Sequence, residues 1–293
     1  MSFRIIGRSI WNNLGNRNKR FVKLIAALRW QIYKRAVRRP EIITLANGVR
    51  FCAYPDCVIS SALHYADWPE FHELQFCRRH LGKGKTVIDV GANVGHFSLL
   101  MSDVVGPDNI VCFEPTTVTW RRLAENFELN RWPTTRLHHA AVGRNGGMIE
   151  FPDTSKPLTT NSAAWGASTA LRKTPVRLVS LDSMISEFHV GEVGLLKVDV
   201  EGYEQEVFLG AQRLLQDIRP SLIMFESLGG NIDDILQKIF SEADYLLFKL
   251  DTAGRLLTSP LDAQNLFAMP REKSAEIFSL EATTRPARAT DKK

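Results

Sequence analysis

Val87-Ile88-Asp89-Val90-Gly91-Ala92-Asn93-Val94-Gly95-His96-Phe97 is the stretch that decides the fold. Val87–Val90 has the composition of a buried strand. It runs straight into a small-residue turn, and a helical pattern starts at His96. Gly91 and Gly95 carry no Cβ, so the backbone there can bend sharply and approach a ligand closely. In an open α/β sheet, ligands sit beyond the carboxyl ends of the strands. The turn is therefore read as a ligand site, with the Asp89 carboxylate in reach of a cationic or hydroxyl-bearing group. Taken alone, the same residues also make a plain turn. Gly82-Lys83-Gly84-Lys85-Thr86, just upstream, is not a phosphate loop. GxxxxGK[ST] would need glycine where Arg79 stands, and the segment precedes its strand instead of following one.

One strand later comes Cys112-Phe113-Glu114-Pro115. Glu114 follows Gly91 at close to the ~20-residue spacing expected of an acid that binds ribose hydroxyls. Its two oxygens match a vicinal diol and disfavour a 2′-phosphate. The dinucleotide fingerprint GxGxxG is missing: the spacing is GxNxG, with Asn93 in the middle and no third glycine. An acid before the turn suits a sulfonium or an α-amino group better than a pyrophosphate. The combination favours S-adenosylmethionine over NAD.

From this point the chain alternates short apolar strands with amphipathic helices. Strands are expected at 87–90, 110–113, 136–142, 195–198, 222–225 and 245–250, with a last one at 266–269. Helices are expected at 96–104, 118–130, 204–216 and 232–243. The alternation predicts an α/β fold, a mostly parallel central sheet with helices on both faces. Upstream, residues 42–59 read as two strands around Asn47-Gly48, and a helix is expected from about Glu70 to His80.

The charge is unevenly spread. Residues 1–40 hold eleven Lys or Arg and no acid, so a formal net charge of +5 leaves the other 253 residues at −6. The basic character belongs to an N-terminal extension, residues 1–41, and not to the domain at 42–280. Residues 1–18 are polar enough to predict little order, and residues 281–293 read as a disordered tail. Over 20–37, Phe21, Leu24, Ile25, Leu28 and Ile32 form one helical stripe. That helix either lies on an anionic membrane surface or packs on its own domain. A mitochondrial presequence is the third reading. The longest apolar run near the N-terminus, Leu24–Leu28, is far short of the ~20 residues that span a bilayer. Cys52, Cys57, Cys77 and Cys112 have neither CxxC nor zinc-ligand spacing and read as reduced thiols. The expected location is cytoplasmic, with peripheral contact at a membrane surface.

The chain resembles the FkbM-type methyltransferases over residues 46–270. The resemblance rests on Asp89–Gly95, on Phe113-Glu114-Pro115, and on Ala140-Ala141-Val142-Gly143 with the Gly166-Ala167-Ser168 region. Its most specific part is Leu196-Lys197-Val198-Asp199-Val200-Glu201-Gly202-Tyr203-Glu204, then Leu209-Gly210-Ala211. Val179-Ser180-Leu181-Asp182 and Asn265-Leu266-Phe267-Ala268 also fit. The resemblance implies a Rossmann-like methyltransferase fold. It implies S-adenosylmethionine as donor, held by Asp89, Gly91, Ala92, Asn93, Gly95, Glu114, Pro115, Ala141 and Val142. It also implies transfer to oxygen, with a glycan, glycolipid or natural-product hydroxyl as acceptor.

Asp199 and Glu201 sit just past the 195–198 strand and are the expected catalytic acids, with Lys197 beside them. By the two-residue period the three share one strand face. A carboxylate or a lysine in hydrogen-bond reach can align an acceptor hydroxyl and take its proton. Other readings stay open. Lys197 can simply pair with an acid. Glu201 can start a helix. Asp199 and Glu201 can hold a divalent metal, although no metal ligand set is assigned. Glu226 is a weaker candidate. His138 and His139 read as packing or surface residues. The polar stretch 152–175 reads as an acceptor loop in which Trp165 stacks on a sugar, or as a surface excursion. Two other functions are weighed: an RNA methyltransferase gripping phosphate through residues 1–40, and a non-catalytic adenosine-ligand module. The acidic balance of 41–293 disfavours nucleic acid. Asp89, Glu114 and Asp199 are all present, which disfavours a dead site.

Overall fold

The computed structural model describes residues 3–152, 173–185, 192–227, 230 and 232–283. Trp165, the Gly166-Ala167-Ser168 region and the tail beyond 283 lie outside the described residues.

In chain order the elements begin with α1 (Phe3–Asn12), α2 (Arg20–Ala36), β1 (Glu41–Thr44), β2 (Arg50–Ala53), α3 (Val58–Tyr65) and α4 (Phe71–His80). Next come β3 (Thr86–Val90), α5 (His96–Val105), β4 (Ile110–Phe113), α6 (Thr117–Leu129), β5 (Leu137–His138) and β6 (Ala140–Val142). Then follow β7 (Gly147–Pro152), β8 (Lys173–Val179), α7 (Leu181–Met184), β9 (Val193–Val198), α8 (Glu204–Leu209) and β10 (Leu222–Glu226). The chain closes with α9 (Asp234–Glu242), β11 (Tyr245–Leu250), β12 (Leu256–Leu257), β13 (Asn265–Pro270) and α10 (Ser274–Thr283).

The central sheet has the order β12-β11-β13-β10-β9-β3-β4-β5. From β5 to β10 all pairings are parallel, while β13 runs antiparallel to both β10 and β11. The strand order reverses between β3 and β9, so the ligand crevice belongs at their carboxyl ends. β3, β9 and β10 are buried along their whole length, as strands covered on both faces must be. Their two-residue period sorts side chains into two cores. Val87, Leu195 and Met224 pack with α1–α6 residues such as Trp30, Phe76, Phe97 and Phe127. Ile88, Val90, Leu196, Val198 and Phe225 pack with Met184, Phe208 and Phe240 of α7–α9.

Four expectations change. The 136–142 strand splits at His139. β5 pairs with β4 only through His138, beyond which the chain crosses to β8 in a separate sheet of order β6-β8-β7. The 204–216 helix stops at Leu209, and the Gly210 that caps it packs so close to β6 that a Cβ there would lie 2.1 Å from the Gly143 carbonyl oxygen. A π-helical turn, Leu214–Ile218, follows, and Asp182 holds its start by accepting from the Arg213 and Leu214 N–H groups at 3.0 and 2.9 Å. Residues 3–12 form a helix whose Ile6 and Ile10 enter the main core. Last, α2 packs through Ala27, Trp30 and Gln31, so most of its apolar stripe faces outward.

Candidate active site

The turn after β3 is built by the main chain. The Gly91 and Ala92 N–H groups both donate to the Phe113 carbonyl, at 2.9 and 3.0 Å. Gly91 has φ +78°, and a Cβ there would lie 1.9 Å from the Asp199 carbonyl oxygen. Only glycine lets the β9 exit pass so close. Asn93 takes the left-handed conformation at φ 52°. Asn126 Nδ2 donates to the Val94 carbonyl at 2.9 Å and ties the turn to α6.

Glu114 lies at the end of β4. Its Oε1 accepts from the Thr116 N–H at 2.8 Å and its Oε2 from the Asn93 N–H at 3.1 Å. The residue lines the cavity beyond the sheet. Burial pushes its carboxyl up to about 7, against the pull of the Thr116 and Asn93 bonds.

Of the expected donor residues, Gly91, Asn93, Glu114, Pro115, Ala141 and Val142 line this cavity. Ala92 and Gly95 are buried behind it. Asp89 does not reach it either. It is 0% exposed, its Oδ2 accepts from Ser98 Oγ at 2.7 Å, and its Oδ1 lies 3.5 Å from Lys197 Nζ. The parallel register that sets Asp89 beside Lys197 is the cause. The carboxylate expected to face a ligand neutralises a buried lysine instead.

Lys197 and Asp199 meet as the period implied, with Nζ to Oδ2 at 3.1 Å. Burial works to lower the Lys197 ammonium, but the charges of Asp199 and Asp89 outweigh it and raise its pKa. Lys197, Asp199 and Glu201 all line the cavity. Glu201, at φ 55°, sits in the turn between β9 and α8 and does not begin the helix. Glu204 does: its Oε1 accepts from the Val200 and Gly202 N–H groups at 3.1 and 3.2 Å, fixing the turn that carries Asp199 and Glu201.

Carboxylate oxygens of Asp199, Glu201 and Glu226 lie within 4.8 Å of one another, a set able to hold a divalent cation. Glu226 is 8% exposed. Its Oε1 accepts from Gln264 Nε2 at 3.0 Å, whereas its Oε2 has no hydrogen-bond partner among the described residues. Burial raises the Glu226 carboxyl, and Asp199 adds to the effect.

Two cavity residues escape the sequence reading. Glu70 precedes α4 at φ 49° and is an exposed residue on the cavity lining. His96 opens α5. Burial and then the Lys197 charge push its imidazole down to about 4, so it is neutral near pH 7. Neither belongs to a recognisable spacing, and only the folding of α3–α5 over the strand ends brings them in. His139 bonds to the Pro115 carbonyl at 3.0 Å and stacks on Trp120, a packing role.

A mostly parallel sheet with this turn and this acid at its switch point defines the Rossmann-like methyltransferase class. The chain belongs to the FkbM methyltransferase domain family, whose model matches residues 89–247. It is 29% identical over 155 residues to a hexuronic acid methyltransferase of Haloferax volcanii, covering 53% of this chain and 61% of that protein. It is 26% identical over 142 residues to Methyltransferase 1 of Beauveria bassiana, covering 42% and 57%. The chain thus spans about three-fifths of the length of these relatives. Among solved structures it is similar to a methyltransferase FkbM of Methylobacillus flagellatus, at 15% identity and TM-score 0.43, over 71% of this chain and 52% of that one.

Proposed function

We propose that the protein is an S-adenosylmethionine-dependent O-methyltransferase acting on a hydroxyl of a glycan, glycolipid or natural product. The observation that carries this is the meeting, in one cavity, of a Cβ-free turn at Gly91, the diol-facing carboxylate Glu114 and the acids Asp199 and Glu201. These residues fit the donor. Glu114 offers acceptor capacity to the ribose hydroxyls, Gly91 and Asn93 give close backbone approach, and Ala141, Val142 and Phe113 offer apolar wall to the base. When bound, S-adenosylmethionine supplies a methyl group activated by its sulfonium. Asp199 and Glu201 orient the acceptor hydroxyl and take its proton as the oxygen gains the methyl. Lys197 holds the Asp199 carboxylate in place. The name of the Haloferax relative supports a sugar acceptor. Four carboxylates line the cavity, Glu70, Glu114, Asp199 and Glu201, with Glu226 grouped beside two of them; together they disfavour a phosphate backbone and so RNA. The test is release of demethylated donor from glycan, glycolipid and RNA pools; turnover on RNA alone would overturn the proposal.

Calorimetry should show S-adenosylmethionine binding, no NAD binding, and a loss of affinity in Glu114→Ala. The ionised carboxylate is the better acceptor for ribose hydroxyls. With the Glu114 carboxyl raised to about 7, affinity should rise with pH and level off above 7. Below that it should fall by up to about tenfold per pH unit. Glu114→Gln should flatten the profile. Equal affinity in Glu114→Ala would sink the donor assignment.

The grouping of Glu226, whose Oε2 has no hydrogen-bond partner among the described residues, with Asp199 and Glu201 favours a second reading in which the three acids hold a divalent cation that acidifies the hydroxyl. EDTA separates the two. Activity should survive the chelator if the acids act directly, and should vanish and return with added Mg²⁺ or Mn²⁺ if a metal acts. Under the direct reading, Glu201→Gln should lower turnover while calorimetric donor affinity is kept, with the turn still held by Glu204.

A further inference from the structure

The strongest feature outside the cavity is the outer face of the N-terminal helices. On α2, Phe21 is 73%, Ile25 67% and Ile32 69% exposed, and Leu28 is exposed beside them. These four positions fall on one side of the helix by the 3.6-residue period, opposite the buried Trp30. α1 and the turn after it extend the patch with exposed Ile5, Trp11 and Leu14. Trp11 meets Phe21 edge to face at 5.9 Å between ring centroids, so the two helices present one continuous apolar surface. A patch of this kind on a soluble domain marks an interaction site.

The charge around the patch selects the partner. Lys19 and Lys23 pair with Asp67, and Arg29 pairs with Glu41. Arg4, Arg8, Arg17, Arg20, Arg35, Arg38 and Arg39 have no carboxylate partner among the described residues. The segment contains no acid of its own. A second copy docking on the same face would bring these cations against one another, because a two-fold interface is self-complementary. An acidic bilayer meets both demands, apolar insertion for the stripe and negative charge for the arginines.

We propose that the α1–α2 face seats the protein on an acidic lipid bilayer and thereby holds its cavity at a set height above the lipid surface. The link is α3. Trp30 of α2 stacks on His64 of α3 and donates to Ser61 Oγ at 3.0 Å, while Ile59 of the same helix lines the cavity. Two helix layers, roughly 20 Å, therefore stand between the stripe and the acceptor site. This spacing favours a saccharide carried above the bilayer over a hydroxyl close to the lipid backbone. That last step rests on the proposed methyltransferase function.

The test is sedimentation of the full-length protein with sucrose-loaded vesicles, of phosphatidylcholine alone or with about one-third phosphatidylserine. The protein should pellet with the acidic vesicles only. Ile25→Asp/Ile32→Asp should lower the bound-to-free ratio by about tenfold or more, with circular dichroism melting unchanged because both side chains face solvent. Arg35→Glu/Arg38→Glu should remove the dependence on acidic lipid. Calorimetric donor binding in the Ile25→Asp/Ile32→Asp protein should stay intact, so failure at the membrane and failure at the cavity read separately. Three outcomes would overturn the proposal: no vesicle binding, binding that ignores the two aspartates, or a solution dimer that those aspartates dissociate.

Discussion

Asp199→Asn should cut turnover by about 10²–10⁴-fold while leaving S-adenosylmethionine affinity nearly unchanged. The substitution keeps the side chain's shape and removes its charge and basicity. Asp199 lies past the end of β9, bonded to Lys197 Nζ at 3.1 Å and grouped with Glu201 and Glu226. The carboxylate we propose for the ribose is Glu114, past the end of a different strand. Single-turnover methyl transfer and calorimetry on the same protein separate the effects. Loss of donor binding with acceptor binding intact would place Asp199 on the wrong ligand.

Lys197→Met should cost about 3–5 kcal/mol of stability, because it strands a fully buried carboxylate. Asp89 is 0% exposed, and Lys197 Nζ is the cation beside it. Adding Asp89→Asn should restore most of the loss, since the amide carries no charge and still accepts from Ser98. Urea unfolding of the two single variants and the double variant measures the coupling. Wild-type stability in Lys197→Met would overturn the pairing. Recovered stability without recovered turnover in the double variant would show that Lys197 also acts through Asp199 on the acceptor.

The parts legible in the sequence are those that local pattern determines. β3, the glycine turn and α5 follow from one run of residues, and β4 was placed at Ile110–Phe113 because four apolar residues end at Glu114-Pro115. The FkbM family and the Rossmann-like sheet were likewise readable. Three-dimensional register was not. Asp89 stands beside Lys197 only because β3 and β9 pair with that alignment, which no spacing within either strand encodes. The same limit hid Glu70 and His96, which reach the cavity through helix packing. The break at His139 was missed because Arg136–Val142 is apolar enough for one strand, and only the choice of pairing partner divides it. On α2 the apolar stripe is legible but the packing face is not: Trp30 and Gln31 look bulky or polar in sequence and are the side that packs.

The contact between Gly91 and the chain leaving β9 sets a dimension of the active site. The Asp199 N–H donates to the Val90 carbonyl at 3.0 Å, and the Asp199 carbonyl passes where a Gly91 side chain would be. Under the proposed assignment, main-chain atoms thus fix the spacing between the turn proposed for the donor and the acid proposed for the acceptor. Substitutions along the pocket walls can reshape what is accepted without altering that gap. On that assignment, acceptor choice would lie with side chains and the separation of the two reactants with the backbone.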